Sequence, residues 1–432
     1  MSLLALLCAV LLFFGLPLRP PLMLFDIAAP LMIWQLWRRR KALADHLSTW
    51  RSPMPWLALA VLWVLLSSAI QQLRGAAPLY NTAIAVFMLL GCAFYCVTPI
   101  PSSRLCLAVG AGMLGCCLAV YLLGSHCGNE AVSSRLFYTE ENLLGTAGSV
   151  LARRFQFFFT NPNLLGSAYA LPYLLCLPWL KERLEAKECR WRTWLLAAAL
   201  MLLGALPLLN SVSKHLLLTF GLCLGLLASF PPLRRIGSRF AAPALTILLG
   251  LLLALTVWFR TYPAVRHFPW VDFGARSNYS THQEVYLDIV RGTGVSGALF
   301  GHGIDELHEL YPQFADGEKI ASILEAYYGH KLDGTFNSFM DPHNEYLNTA
   351  SLFGLPAILL IAVAAWMLFK TSWKRRFIPG CCAVAALAFA CLWDDLSSKR
   401  WIWLYAGLVM QFAESLPASQ SGTAAGGQLP HR

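Results

Sequence analysis

Charged residues are scarce in this chain. Only 13% of its 432 residues are charged, whereas 57% are hydrophobic, and its mean hydropathy is +0.56. Soluble domains carry roughly 25% charged residues. This composition excludes an ordinary soluble enzyme and predicts an all-α membrane protein that crosses the bilayer many times.

Long apolar runs give the second argument for a membrane protein. A helix needs about 20 apolar residues to cross a bilayer, and we count about twelve such runs. The first run is kept as a span because it has no basic start and no A-x-A-like cleavage site. The runs lie near residues 2–17, 20–37, 55–73, 80–99, 105–124, 161–180, 193–211, 214–230, 240–259, 344–369, 377–394 and 400–414.

The distribution of basic residues predicts the orientation. A net charge of +10 could indicate a nucleic-acid partner, but Lys and Arg cluster in short loops that follow even-numbered spans. Because positively charged loops remain in the cytoplasm, we expect the loops of Arg38, Lys187, Arg235 and Lys374 to be cytoplasmic. Both chain termini share that side, and nucleic acid is not an expected partner.

This orientation divides the chain into four parts. Residues 1–259 hold nine transmembrane helices with an exported loop at about 125–160, residues 260–343 form a large periplasmic loop, residues 344–414 hold spans ten to twelve, and residues 415–432 form a cytoplasmic tail. The large loop is rich in aromatic residues, so it has enough apolar surface to fold. Its segments 281–291, 304–314 and 317–329 predict a helical cap on the membrane face.

Disulfides and bound cofactors are not expected. Eleven of the thirteen cysteines fall inside apolar runs, Cys189 lies in a basic loop, and only Cys127 lies in an exported loop. The cytoplasmic loops contain neither G-x-x-x-x-G-K-[ST] nor G-x-G-x-x-G, which argues against an ATP-driven pump. The histidines of the large loop show neither H-E-x-x-H nor C-x-x-C spacing, so we predict no metal there.

The densest polar cluster, "DPHNEY", stands at the start of the tenth span. Asp341 fits a helix N-cap and Pro342 the first helical position, which would put His343 and Asn344 in the first turn. The positive end of the helix dipole favours a neutral imidazole that can accept a proton. Simple capping at the membrane interface is the alternative interpretation.

Cations on the exported side form the second cluster. Arg153 and Arg154 precede the sixth span, Lys214 and His215 lie in an outward turn, and Arg276 lies in the large loop. Positive charge outside runs against the topology bias. Such cations can bind a diphosphate, although anchoring to lipid headgroups is the alternative.

These motifs resemble the bacterial O-antigen ligases and the related O-antigen polymerases and protein O-oligosaccharyltransferases. "RRFQFFFTNPNLLG" resembles their arginine and Asn-Pro-Asn segment, "NSVSKHLL" their Ser-Arg turn, "LFGHGID" their Gly-x-Gly, and "DPHNEYLNTASLFG" their His-Asn-x-Tyr-Leu motif. Lys214 stands where the family usually has arginine. Arg276 lies farther upstream of the Gly-x-Gly than the family's loop arginine, and His282 and Gln283 lie nearer that spacing.

The resemblance implies a GT-C-like fold and glycan transfer from undecaprenyl diphosphate to an acceptor hydroxyl at the periplasmic face of the inner membrane. The first hypothesis is a ligase whose acceptor is lipid A-core. The resemblance also implies His343 as general base and a diphosphate bound by Arg153, Arg154, Lys214 and Arg276, with neither metal nor nucleotide. The expected supporting residues are Asn163, His215, Asn344 and Tyr346.

The sequence leaves three groups of functions open. The first is a ligase; the alternative is a polymerase or a protein O-oligosaccharyltransferase; the third is a carrier-lipid transporter. A ligase and a polymerase share the donor and differ in the acceptor. A carrier-lipid transporter would show charges at mid-membrane depth and repeated broken helices. The apolar runs contain few such charges, and the large outward loop favours an enzyme.

Overall fold

The protein is largely helical, as its composition predicts. The computed structural model describes residues 17–19, 22–23, 28–75, 79–98, 100, 105, 137–139, 153–155, 278–328, 339–375, 377–391 and 400–415. The helices in these segments are α1 (Ala29–Arg38), α2 (Arg40–Ser48), α3 (Met54–Leu73), α4 (Leu79–Val97), α5 (Asn278–Gly292), α6 (Gly294–Phe300), α7 (Gly303–Phe314), α8 (Gly317–Tyr328), α9 (Glu345–Phe353), α10 (Leu355–Lys374), α11 (Ile378–Ala390) and α12 (Arg400–Ser415).

Two short antiparallel strand pairs accompany the helices. β1 (Pro17–Arg19) pairs with β2 (Leu22–Met23), and β3 (Phe137–Thr139) pairs with β4 (Arg153–Phe155). Within the second predicted span, 20–37, Leu22–Met23 therefore form a strand and the described helix begins at Ala29. Prolines at positions 17, 20 and 21 explain this difference, because proline lacks the N–H that a continuing helix requires.

Among the described helices, two have the length and apolarity needed to cross a membrane. These are α3 and α10, each with 20 residues, and they pack against each other. The expectation of helices near 55–73 and 80–99 is confirmed by α3 and α4. The predicted spans near 2–17, 105–124, 161–180, 193–211, 214–230 and 240–259 lie outside the described helices.

The expected span 344–369 is wrong as a single helix, because the chain breaks at Gly354. Gly354 has φ +86, and a Cβ there would lie 1.8 Å from the carbonyl oxygen of Leu299. Only glycine allows both this backbone conformation and this close approach. The break leaves α9 as a short helix whose last six residues are all buried, and α10 begins at Leu355.

The described part of the large loop, residues 278–328 and 339–343, contains the helices α5 to α8, which we call the helical cap. The three helices predicted there are confirmed as α5, α7 and α8, while α6 was not anticipated. The cap contacts α9 through α5, α6 and α7. It therefore lies directly on the segment that contains His343.

Candidate functional site

The start of α9 differs from the sequence prediction. Asn344 is the N-cap: it has extended φ and ψ, and its Oδ1 accepts the Leu347 N–H at 3.2 Å. The expectation that Asp341 caps the helix and Pro342 opens it is therefore wrong. Asparagine prevails because its oxygen reaches the third helical N–H, whereas Asp341 accepts the His343 N–H at 2.8 Å.

His343 has an unusual backbone conformation. Its φ is +46, and it is the one non-glycine residue with positive φ in the segments that the structure describes. A side chain in this left-handed region costs roughly 1–2 kcal/mol. The Asp341 carboxylate accepts the His343 N–H, and Gln283 Nε2 donates to the Pro342 carbonyl at 3.3 Å. The surroundings thus hold His343 in a conformation that a capping role would not need.

Aromatic side chains fix the segment before His343 to the cap. Phe339 stacks on His308 with ring centroids 3.8 Å apart and meets the edge of Tyr311 at 5.7 Å. Tyr286 completes this group, 5.9 Å from Tyr311, and both tyrosines are fully buried. Because the two tyrosine rings are rigid and buried, they fix where Phe339 and the chain after it leave the cap.

A second histidine lies beside the first. His282 is buried on α5, and its Nδ1 lies 2.5 Å from the Tyr311 hydroxyl. Burial lowers the pKa of His282 to about 4, with a smaller electrostatic contribution from His343, and burial raises the pKa of Tyr311 to about 12. At neutral pH both groups are therefore uncharged.

The Gly301-His302-Gly303 turn joins the cap to α9. A Cβ on Gly301 would lie 2.5 Å from the backbone of Leu352, and both glycines have positive φ. The His302 N–H donates to the Ser351 carbonyl at 2.8 Å. Gly301 therefore lets the ends of α6 and α9 approach backbone to backbone.

Polar residues near the end of α3 bind the carbonyls exposed at this crossing. Gln71 Nε2 donates to the carbonyls of Phe300 at 2.8 Å and Leu352 at 2.7 Å. Asn81 Nδ2 donates in turn to Gln71 Oε1 at 2.6 Å. Trp63 Nε1 donates to the Phe353 carbonyl at 3.1 Å. Without these donors, the last carbonyls of α6 and α9 would be buried and unpaired.

An apolar cavity of about 400 Å³ extends from α9 between α10, α11 and α12. Glu345, Tyr346 and Thr349 line one end, directly after His343 in the chain. Side chains from the three longer helices make the remaining wall almost wholly apolar; they include Ile361, Phe369, Val384, Leu387, Ile402 and Met410. Within the described part of the chain, the polar side chains of α9 therefore form one end of a cavity whose other walls are apolar.

The supporting residues Asn344 and Tyr346 have structural contacts. Asn344 caps α9, and the Tyr346 hydroxyl donates to the Ala388 carbonyl on α11 at 2.7 Å. The Glu345 N–H donates to the Cys391 carbonyl at 2.8 Å. Together these bonds fix the first turn of α9 against the end of α11.

The cationic residues are described only in part. Arg153 and Arg154 lie on β4, where they pair with Thr139 and Tyr138. Asn163, Lys214, His215 and Arg276 lie outside the described residues. Whether these residues converge on one site therefore stays a prediction.

Several site residues were missed in the sequence. Ser67, Gln71 and Asn81 are buried polar residues that hold the crossing, and Tyr311 faces His282. A signal was present: "SSAIQQ" interrupts the apolar pattern of the third span. Polar residues at such depth need partners, so they indicate a contact with another polar segment.

Comparison with protein-family models and with curated proteins finds no match to the chain. We therefore infer the function from the site and from the sequence motifs.

Proposed function

We propose that this chain is a multi-pass inner-membrane glycosyltransferase with about twelve spans and a GT-C-like fold. It transfers an O-antigen glycan from undecaprenyl diphosphate to a sugar hydroxyl of lipid A-core at the periplasmic face. The proposal joins the motif resemblance to the geometry around His343. Both chain termini would then be cytoplasmic, with the helical cap outside.

The single observation that carries the proposal is the conformation of His343. Strained backbone persists where the surrounding structure enforces it, and such residues cluster at functional sites. Here Asp341, Gln283 and the aromatic group around Phe339 enforce it. Since Asn344 already caps α9, helix capping gives no reason for a histidine at this position.

The proposed step is a single displacement. His343 accepts the proton of the acceptor hydroxyl as its oxygen forms a bond to the anomeric carbon of the donor. The bond from that carbon to the diphosphate breaks, and undecaprenyl diphosphate leaves with both electrons. Because diphosphate is a good leaving group, the step requires no protonated carboxylic acid and no metal.

The cavity supports a lipid-linked donor. An isoprenyl chain is apolar and needs an apolar channel, and the cavity between α10, α11 and α12 has that lining. Its polar end follows His343 directly in the chain. The diphosphate would then lie near the membrane surface, where we assign its binding to Arg153, Arg154, Lys214 and Arg276.

The experiment is transfer by the purified chain in vesicles with lipid-linked donor and lipid A-core acceptor. His343→Asn is the decisive variant, because asparagine tolerates the left-handed conformation and lacks the basic ring. His308→Phe is the matched control, since it changes another cap histidine while retaining the stack on Phe339. Equal activity of His343→Asn and the parent would refute the proposed base.

The acceptor needs a separate experiment in a deletion strain. Polymer that stays on the carrier lipid identifies a ligase, whereas a core that bears one repeat unit identifies a polymerase. Unchanged lipopolysaccharide with an altered glycoprotein pattern would identify a protein O-oligosaccharyltransferase.

A further inference from the structure

A second cluster of reactive side chains lies far from His343. His46 on α2, Cys96 on α4 and Glu414 on α12 bring one nitrogen, one sulfur and one carboxylate oxygen within 4.8 Å of one another. His46 Nδ1 and Glu414 Oε2 are 3.5 Å apart. Three separate helices therefore direct metal-ligating atoms at one point.

The helices that carry these groups are held firmly together. Gln411 exchanges two hydrogen bonds with the backbone of Ile100, at 3.1 and 3.0 Å. A Cβ on Gly407 would lie 2.4 Å from the Cys92 carbonyl oxygen. The backbones of α4 and α12 are therefore in close contact one helical turn before Cys96. Arg39 Nη1 donates to the Val97 carbonyl at 3.1 Å and ties α1 to the same end.

The donor set suits zinc. Zinc takes thiolate, imidazole and carboxylate ligands at about 2.0–2.3 Å, which puts the ligand atoms of a tetrahedral site roughly 3.3–3.8 Å apart. The observed separations reach that range after small side-chain rotations. A soft sulfur ligand disfavours magnesium and calcium, which prefer oxygen.

The surroundings allow an ion to enter. Cys96 is buried, but the side chains of His46 and Glu414 are 22% and 32% exposed. The site is therefore closed on the thiol side and open on the other, as a three-ligand site with water in the fourth position requires. By the predicted orientation it faces the cytoplasm, where thiols stay reduced.

We propose that His46, Cys96 and Glu414 bind one zinc ion that links α2, α4 and α12. Water supplies the fourth ligand of the ion, which lies at the end of α4 opposite the helical cap. Its binding does not depend on the glycosyltransferase activity proposed above. The alternative is a simple ion pair of His46 and Glu414 with a neighbouring thiol.

The test measures zinc on the purified full-length chain in detergent. After loading with zinc and extensive dialysis, we expect one zinc per chain by elemental analysis. Cys96→Ser and Glu414→Gln should each weaken zinc binding by more than the roughly 10–100-fold that loss of an outer-shell partner costs. Cys92→Ser is the matched control, because Cys92 is a buried cysteine one turn earlier on α4, and it should retain zinc.

Cobalt substitution gives a second readout that needs no stable variant. Cobalt bound to the parent chain should show thiolate-to-metal charge-transfer absorption, which zinc should abolish by displacement. Cobalt binding without a thiolate band would refute Cys96 as a ligand. The zinc site would be refuted if the parent retained no zinc, or if the parent and both ligand variants retained zinc equally. The cluster would then be only an ion pair of His46 and Glu414 beside a thiol.

Discussion

The two polar clusters at opposite ends of α4 are built in different ways. Asn81 near the start of α4 belongs to the network under the helical cap, whereas Cys96, about 22 Å further along the helix, belongs to the cluster with His46 and Glu414. The cap end contains a broken helix, four positive-φ glycines (Gly294, Gly301, Gly303 and Gly354) and a strained histidine. The Cys96 end consists of ordinary helices whose side chains converge.

The geometry of one site depends on the backbone, whereas the geometry of the other depends on side chains. At the cap end the backbone itself is forced into position, because α6 and α9 cross at Gly301 and Gly354 with no room for a side chain. At the Cys96 end the side chains alone define the cluster. Backbone changes should therefore damage the first site most, and ligand changes should damage the second.

The largest expected effect is the loss of glycan transfer in His343→Asn. We expect a decrease of about 10²–10⁴-fold in turnover, the usual contribution of a general base, with unchanged abundance in the membrane. Turnover in vesicles measures it. His343→Gly relieves the left-handed strain. If this variant transfers glycan as well as the parent, the imidazole ring is not the base and His343 acts only through its backbone conformation.

Gly354→Ala should cause the next largest effect, now on stability. A Cβ would lie 1.8 Å from the Leu299 carbonyl oxygen, so α6 and α9 must separate; we expect a loss of about 3 kcal/mol or more. Gly75→Ala is the control, because Gly75 has φ +97 but open space around it and should lose about 1–2 kcal/mol. Equal melting temperatures for the two variants would show that the crossing tolerates separation.

His282 should make stability depend on pH. Its pKa is about 4 in the folded chain and 6.5 when unperturbed, so between these values only the unfolded chain binds the proton. Stability should therefore fall as pH drops from 6.5 to 4, by about 3 kcal/mol in total. Melting temperature against pH measures this slope.

The control separates His282 from the other cap histidines. His282→Phe should flatten the curve over that window, whereas His308→Phe should keep the slope of the parent. A parent curve that is flat between pH 4 and 6.5 would contradict the buried, neutral state of His282.

The smallest effect concerns Asn344. Asn344→Ala removes the N-cap of α9 and should cost about 1 kcal/mol, while Asn344→Asp should keep the cap and the stability. Transfer activity decides the expected supporting role: an Asp variant that is stable but inactive would mean that the Asn344 amide acts on His343 or on the substrate.

Part of the fold could be read from the sequence. Apolar runs predicted α3 and α4 closely, and patterning predicted α5, α7 and α8 in the large loop. The break at Gly354 was missed because "LFGLP" was counted as part of an apolar run, although Gly354 and Pro356 are local signals for a helix end and a helix start. The sequence does not show the partner: the backbone of Leu299, far away in the chain, leaves no room for a Cβ at Gly354.

The candidate site was predicted in the same uneven way. His343 was singled out by its position before an apolar run. The N-cap of α9 was predicted to be Asp341, but it is Asn344, since aspartate and asparagine are both good N-caps. The partners His282 and Tyr311 lie 29 residues apart. No local pattern indicates that they meet.

The sequence by itself determined that the chain forms helices, among them α3 and α10, with the length and apolarity needed to cross a membrane, because apolar composition and run length follow from local chemistry alone. It also determined which residue types stand before α9. Only the tertiary structure decided that His343 is left-handed beside His282, that Gly301 and Gly354 cross, and that His46, Cys96 and Glu414 converge. The physical reason is distance along the chain: these contacts join segments up to hundreds of residues apart, and packing rather than local preference brings them together.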